Sequence, residues 1–220
     1  MKVVLFGATG MVGQGALRES LLDPEVTEVL AVGRRGTGQT HPKLHELLQS
    51  DLFNTSSLES QWQGFDACFF CLGVSSAGMK ESDYRHVTFD LTLGVATVLA
   101  RLNPKLTFIY VSGAGTDSTE QGRSMWARVK GATENALLRL PFRAVMFRPG
   151  AIVPLHGIQS RTALYRLAYT LSRPLWRPLQ RAFPNSICTT EQIGRAMLRV
   201  ARSGASKPVL EARDIIALSA

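Results

Sequence analysis

Short apolar runs alternate with longer stretches of helical periodicity along most of the chain. Residues 2–6 (KVVLF) are mostly apolar and stop at Gly7, and residues 11–22 then repeat apolar positions at helical spacing. Further runs predict strands at residues 29–32, 66–73, 106–113 and 142–150, with helices at residues 84–102 and 122–140. The run DACFFCLG at 66–73 is almost continuously apolar, which is typical of a parallel strand covered on both faces.

This alternation predicts an α/β fold, a Rossmann-like three-layer sandwich around a doubly wound parallel sheet. After residue 150 the pattern changes. Thr189, with Gln192 three positions later, has the spacing of a capping box that opens a helix, and residues 208–212 (PVLEA) predict a last strand. We therefore expect residues 1–220 to form a single domain, with a core over about 1–155 and a small C-terminal lid or substrate region over about 156–220.

The composition is that of an ordinary soluble protein, with 45% hydrophobic and 19% charged residues in 220. Three cysteines favour a reducing compartment, so we expect a cytoplasmic protein. Cys68 and Cys71 stand three apart on a predicted strand, so they point to opposite faces and are expected in the core. The histidines have no metal-ligand spacing, and no metal site is predicted; they are His41, His45, His86 and His156.

The net charge of +8 comes mostly from one stretch, residues 142–190, which contains arginine but no Asp, Glu or Lys. Such a local excess argues against a nucleic-acid-binding protein. Within 158–183, one helical face carries Leu164, Leu167, Ala168, Leu171, Leu175 and Leu179, and the other carries Arg166, Arg173, Arg177 and Arg181. We favour a lid whose leucines cover a pocket. The alternative is a basic surface that binds an anionic membrane or a protein partner.

A glycine-rich turn follows the first predicted strand. Gly7, Gly10 and Gly13 have the spacing G-x-x-G-x-x-G between a strand and a helix. Glycine lets the backbone approach a pyrophosphate, which then lies at the positive N-terminus of the helix. We therefore predict a dinucleotide site at this turn, with further contacts from its other residues, Thr9, Met11 and Val12.

The ends of the next strands predict the rest of the cofactor site. Where NAD sites usually offer an acidic residue to the ribose, this chain has Gly33, Arg34 and Arg35. Two guanidinium groups suit a 2′-phosphate, so we predict NADP, with NAD less favoured. The alternative is that both arginines lie in a solvated loop. The third candidate strand leads into Asp51 and Leu52, a predicted adenine contact or simply a turn, and Leu72 and Gly73 follow the fourth strand as predicted contacts.

The glycine loop, VSGAG at 111–115, VKGATE at 129–134 and FRPG at 147–150 together resemble the atypical short-chain dehydrogenase/reductase superfamily. The likeness is greatest to its small Tat-interacting-protein-like NAD(P)-binding oxidoreductases and epimerases. It covers about residues 1–155. The resemblance implies that Ser112 and Lys130 belong to a catalytic serine, tyrosine and lysine set. It also implies cofactor contacts from Ser112 and Lys130 and from the residues Arg148, Pro149 and Gly150.

The tyrosine of that set is replaced by Trp126. An indole N–H can donate a hydrogen bond but has no accessible ionisation, so it cannot move a proton. Tyr84 and Ser112 are the candidate replacements, although Tyr84 is more readily a surface aromatic and Ser112 a turn cap. The sequence favours an NADP-dependent oxidoreductase of unknown small-molecule substrate. The alternative is a catalytically silent NADP-sensing regulatory or scaffold protein. The resemblance also implies a homodimer through helices 84–102 and 122–140.

Overall fold

A parallel sheet forms the centre of the molecule. The computed structural model describes residues 1–55, 58–158, 176, 178–179 and 183–220. The strands of the sheet are β1 (Lys2–Phe6), β2 (Glu28–Gly33), β3 (Leu44–Leu48), β4 (Ala67–Phe70), β5 (Thr107–Val111), β6 (Arg143–Arg148) and β9 (Val209–Glu211). Within the described ranges their order is β3-β2-β1-β4-β5-β6-β9, and every neighbouring pair is parallel. The predicted Rossmann-like α/β fold is confirmed.

Helices cover both faces of this sheet, which explains why its central strands are apolar throughout. On one face, α1 (Met11–Leu22), α5 (Thr190–Ser203) and α6 (Ala212–Leu218) enclose a core that includes Leu5 and Phe69. On the other, α3 (Leu91–Leu102) and α4 (Met125–Leu137) enclose a second core that includes Phe6 and Phe70. Alternate residues of β1 and β4 therefore enter different cores, as the period of a strand requires.

The helix predicted at 84–102 starts earlier and is not uniform. It consists of α2 (Glu81–Arg85), a π-helical turn (His86–Asp90) and α3. The helix predicted at 122–140 is shorter, and α4 begins after Ser124 and ends at Leu137. The shifted boundaries at Glu81, Met125 and Leu137 concern element ends, where local sequence signals are weakest, whereas the π-helical turn lies inside the helix.

The C-terminal part contributes to the sandwich itself. The Thr189 hydroxyl accepts from the Gln192 amide, and the Gln192 side chain accepts from Thr189, so the predicted capping box is confirmed. Gly15 of α1 and Gly194 of α5 allow close contact, because a Cβ at Gly15 would lie 2.5 Å from the Thr190 carbonyl oxygen. Since α5 packs on α1 and β9 extends the sheet, residues 187–220 are part of the core rather than of the lid expected over 156–220.

Two short strands, β7 (Ala151–Val153) and β8 (Ile187–Thr189), pair in parallel beside the main sheet. Between them in the chain lies the basic segment, 158–183, whose predicted amphipathic face falls largely outside the described residues. In the part of the chain that is described, no helix is both long and apolar enough to cross a membrane.

Candidate functional site

The glycine turn between β1 and α1 has a geometry that only glycine permits. Gly7 has a φ of 80°, and a Cβ there would lie 2.7 Å from the Leu72 backbone nitrogen. At Gly13 a Cβ would lie 2.0 Å from the Gly7 carbonyl oxygen. Gly10 is the N-cap and offers no side-chain hydrogen bond to the first turn. The backbone amides of this first turn have no intrahelical carbonyl to accept from them. They therefore suit an anion such as a pyrophosphate.

Thr9, Met11 and Val12 complete this turn at the carboxyl edge of the sheet. The Thr9 carbonyl accepts a hydrogen bond from the Gln14 side chain over 3.2 Å, which fixes the turn against α1. Leu72 and Gly73 lie beside it, because they follow β4, the neighbour of β1 in the sheet. The predicted phosphate loop and the end of β4 thus meet at one point.

Arg34 and Arg35 are exposed where β2 ends. Neither guanidinium forms an ion pair with any described residue, so both are free to meet a phosphate. Glu46 of β3 fixes the loop after them, since its Oε1 accepts from the Thr37 amide over 2.6 Å. Hydrogen bonds from Thr37 hold the pKa of Glu46 below its ordinary value.

Asp51 and Leu52 follow β3 by a few residues and behave differently from each other. The Asp51 carboxylate is exposed and accepts from the Phe53 amide over 2.9 Å, so it caps its own turn. Leu52 is buried in the core under β1 and β2. This geometry matches the interpretation of Asp51 as a turn residue. The Asp51 backbone lies at the carboxyl edge of the sheet, as do Arg34 and Arg35.

Lys130 is held at the end of β5. Its ammonium group donates to the Ser112 carbonyl oxygen over 2.5 Å, and the side chain is partly buried. It is therefore not a solvated helix lysine. Burial lowers the pKa of Lys130 to about 8, and the negative charge of Glu134 opposes that shift. One turn earlier on α4, the Trp126 ring lies beside Gly115.

Ser112 is turned inward. It is buried, and its hydroxyl contacts Glu134 Oε1 at 2.5 Å and the Phe147 carbonyl oxygen at 3.2 Å. Arg148 Nε also donates to Glu134 Oε1, over 3.0 Å, and its Nη2 donates to Oε2. These hydrogen bonds from Arg148 to the Glu134 carboxylate raise the pKa of Arg148. Ser112 is thus neither a cap of its own turn nor, in this geometry, a free donor at the edge.

Pro149 and Gly150 connect β6 to β7 against the loop after β5. The Pro149 carbonyl accepts from the Ala114 amide over 2.9 Å. A Cβ at Gly150 would lie 2.4 Å from the Ser186 carbonyl oxygen, so this turn also requires glycine. The RPG motif therefore links the loop after β5 to the segment that precedes β8.

Tyr84 is not the surface aromatic that the sequence suggested, because it is only 2% exposed. Burial raises the pKa of its phenol, although a hydrogen bond with Thr88 partly offsets the shift. Cys68 and Cys71 contact opposite cores, as predicted. Burial raises the pKa of both thiols, that of Cys71 to about 12, so neither is a reactive thiolate at neutral pH.

Comparison with known proteins places the chain in a family. The NAD dependent epimerase/dehydratase family matches residues 3–124, more than half of the chain. The chain belongs to this family. Protein fmp52, mitochondrial, of Emericella nidulans is 29% identical over 158 residues, which cover 68% of this chain and 66% of that protein. Protein HTATIP2 of Rattus norvegicus is 27% identical over 154 residues, which cover 69% of this chain and 62% of that protein.

These matches span slightly less than two thirds of either relative. Together with the family match they confirm the resemblance to the atypical short-chain dehydrogenase/reductase superfamily. Among solved structures, MoeE5 in complex with UDP-glucuronic acid and NAD has a TM-score of 0.71 at 16% identity, covering 96% of this chain and 76% of that one. The Bordetella bronchiseptica enzyme WbmF in complex with NAD+ has a TM-score of 0.66 at 14% identity, covering 98% and 76%. At these identities the likeness concerns the fold.

Glu134 is the site residue that sequence reasoning missed. It lies in the motif VKGATE, four residues after Lys130, and is 1% exposed. That spacing places both residues on one face of α4. The signal was therefore present, but its partners, Ser112 and Arg148, stand on two other elements and are adjacent only in the folded chain.

Proposed function

We propose that the protein binds NADP in preference to NAD and acts as an NAD(P)-dependent oxidoreductase or epimerase-like enzyme. The observation that carries this proposal is the turn at Gly7 and Gly13. Neighbouring backbone atoms there occupy the space that a side chain at either position would need. Such a turn leaves the amide-rich end of α1 accessible to a pyrophosphate. Membership of the NAD dependent epimerase/dehydratase family supports the same conclusion at the level of the cofactor class.

The described side chains suggest how a dinucleotide would be held. The first turn of α1 would bind the pyrophosphate, and Arg34 and Arg35 would bind a 2′-phosphate with charge-assisted hydrogen bonds. Lys130 would donate to the hydroxyls of the nicotinamide ribose. One of its three N–H groups is directed to the Ser112 carbonyl, which leaves two for the ribose. A bound nicotinamide would supply the hydride chemistry.

Trp126 limits the part of the reaction that this chain can perform. Lys130 is placed to lower the pKa of a phenol one turn away, but residue 126 has an indole. Trp126 can stack on a flat ring or narrow the cleft, whereas the proton must come from elsewhere. Tyr84 is buried and Ser112 donates within the core, so in their present positions neither is an immediate donor.

A second candidate function follows from Trp126 and Ser112. A protein that binds the dinucleotide without turnover, as a sensor or scaffold, requires the glycine loop and Lys130 but no proton donor. The indole at 126 and the inward hydroxyl of Ser112 favour it. The two candidates share the cofactor site and differ only in chemistry.

Calorimetric titration with NADPH and NADH tests the shared part first. We expect NADPH to bind more tightly than NADH, and Lys130→Ala to weaken both. Absence of binding by either dinucleotide would refute both candidates. NADPH consumption with a panel of carbonyl compounds then separates them, because an enzyme oxidises the cofactor in a substrate-dependent way and a sensor does not.

A further inference from the structure

Two residues assigned to the site, Ser112 and Arg148, hydrogen-bond one buried carboxylate, that of Glu134. Ser112 donates to its Oε1, Arg148 Nε donates to the same oxygen, and Arg148 Nη2 contacts Oε2. Lys130 stands one helical turn before it on α4. A carboxylate with 1% exposure is stable only when charged and hydrogen-bonding partners surround it, and here they do.

The surroundings of Glu134 come from several elements. β5 contributes Tyr110, the loop directly after β5 contributes Ser112, β6 contributes Arg148, and Glu211 of β9 contacts the other side of that guanidinium at 3.5 Å. Arg148 Nη2 also donates to the Ser118 hydroxyl over 2.6 Å. Four hydrogen bonds thus engage the guanidinium, whose side chain has an exposure of 11%. Burial lowers the pKa of Lys130, and the negative charge of Glu134 raises it.

We propose that Glu134 is a positioning residue, which keeps Lys130 in its charged form and turns the Ser112 hydroxyl and the Arg148 guanidinium into the interior. An ammonium offers three donors and an amine fewer, so the charged form is the better ligand for ribose hydroxyls. Glu134 itself touches no cofactor in this arrangement. The inference rests on the dinucleotide site proposed above.

The ionisation of Lys130 can be measured without any cofactor. NMR of protein labelled with ¹³C-lysine gives its titration midpoint, and the signal is assigned by its loss in Lys130→Met. The wild-type midpoint is expected at about 8. Glu134→Gln preserves the shape but removes the charge, and should lower the midpoint by about one unit or more. An unchanged midpoint would overturn the proposal.

Glu120→Gln is the matched control. Glu120 lies in the loop before α4, where its carboxylate accepts from Asn135, and it is exposed. Its loss should leave the Lys130 midpoint unchanged. If Glu134→Gln alone fails to fold, Glu134→Asp retains the negative charge and should keep the Lys130 midpoint at about 8. A midpoint lowered by a full unit in Glu134→Asp would contradict the proposal.

The affinity for NADPH between pH 7 and 9.5 provides a second measurement. Wild-type affinity should fall as the pH passes about 8, and the fall should begin at lower pH in Glu134→Gln. A purely structural role would instead weaken binding by the same factor at every pH, and that result would contradict the proposal. If the wild type binds no dinucleotide but the NMR midpoint still shifts, the proposed function fails while the role of Glu134 stands.

Discussion

The Trp126 ring packs beside Gly115, so that a Cβ at Gly115 would lie 3.6 Å from the indole Cη2 atom. This places the ring against the loop that follows β5, one helical turn from Lys130. The indole thus lies between that loop and the turn of α4 that carries Lys130. Its position makes residue 126 the direct place to test whether chemistry is limited by a missing proton donor.

Trp126→Tyr should raise carbonyl-dependent NADPH consumption by about 10²-fold, because a phenol near the Lys130 ammonium can donate a proton. The measurement is the loss of NADPH absorbance with a panel of carbonyl compounds. Trp126→Phe is the control, since it removes the indole without adding a donor. Equal rates in the two variants would show that the phenol is not used.

Arg34→Asp combined with Arg35→Ala should weaken NADPH binding by more than about tenfold, because two charge-assisted contacts to the 2′-phosphate are lost. NADH has no such phosphate, so its affinity should change far less. Calorimetry with both dinucleotides gives the ratio. Equal losses would mean that neither side chain contacts the 2′-phosphate.

Lys130→Met should stabilise the protein at pH 7 by on the order of 1–3 kcal/mol, since it removes a buried ammonium. The pKa of Lys130 falls from 10.5 to about 8 on folding, so between these values the unfolded chain binds a proton that the folded chain lacks. The free energy of unfolding of the wild type therefore rises with pH in that window. The difference in this free energy between Lys130→Met and the wild type becomes smaller. Urea unfolding at pH 7 and pH 10 measures the change.

Lys105→Met serves as a control for this pair of measurements, because Lys105 is exposed. Its effect on the free energy of unfolding should be small at both pH values. If the stabilisation of Lys130→Met relative to the wild type grew between pH 7 and pH 10, the assignment of a buried ammonium would be contradicted.

Gly13→Ala should abolish dinucleotide binding and lower stability, because its Cβ would lie 2.0 Å from the Gly7 carbonyl oxygen. Gly94→Ala is the control: Gly94 is a helical glycine of α3 with open space around it, so alanine should stabilise the protein by up to about 1 kcal/mol. Calorimetry and thermal unfolding test both. Normal NADPH affinity in Gly13→Ala would exclude the turn as the pyrophosphate site.

The fold was predictable because its signals are local and repeated. Apolar runs such as 66–73 gave the covered strands, and Thr189 with Gln192 gave the start of α5. The ends of helices were less predictable, and the π-helical turn at His86–Asp90, inside a helical stretch, has no clear local signature. The sandwich role of residues 187–220 follows from the close approach of Gly15 and Gly194, which are distant in sequence.

The glycine turn was predictable because one motif contains all of its geometry. Gly7, Gly10 and Gly13 form such a motif, and the structure shows a turn that requires glycine. The environment of Ser112 depends instead on Glu134 and Arg148, and only the three-dimensional arrangement determines which way its hydroxyl points. The burial of Tyr84 is of the same kind, because it results from packing between elements.

The pairing of β7 with β8 brings residues 153 and 189 into register, across the part of the chain that contains the basic segment. The two ends of that part are thus held together by the pairing of β7 with β8. Because the entropy of closing a loop grows only slowly with its length, insertions or deletions there cost little stability. The length of this part of the chain can therefore vary while the parallel sheet, with the proposed dinucleotide site at its edge, remains unchanged.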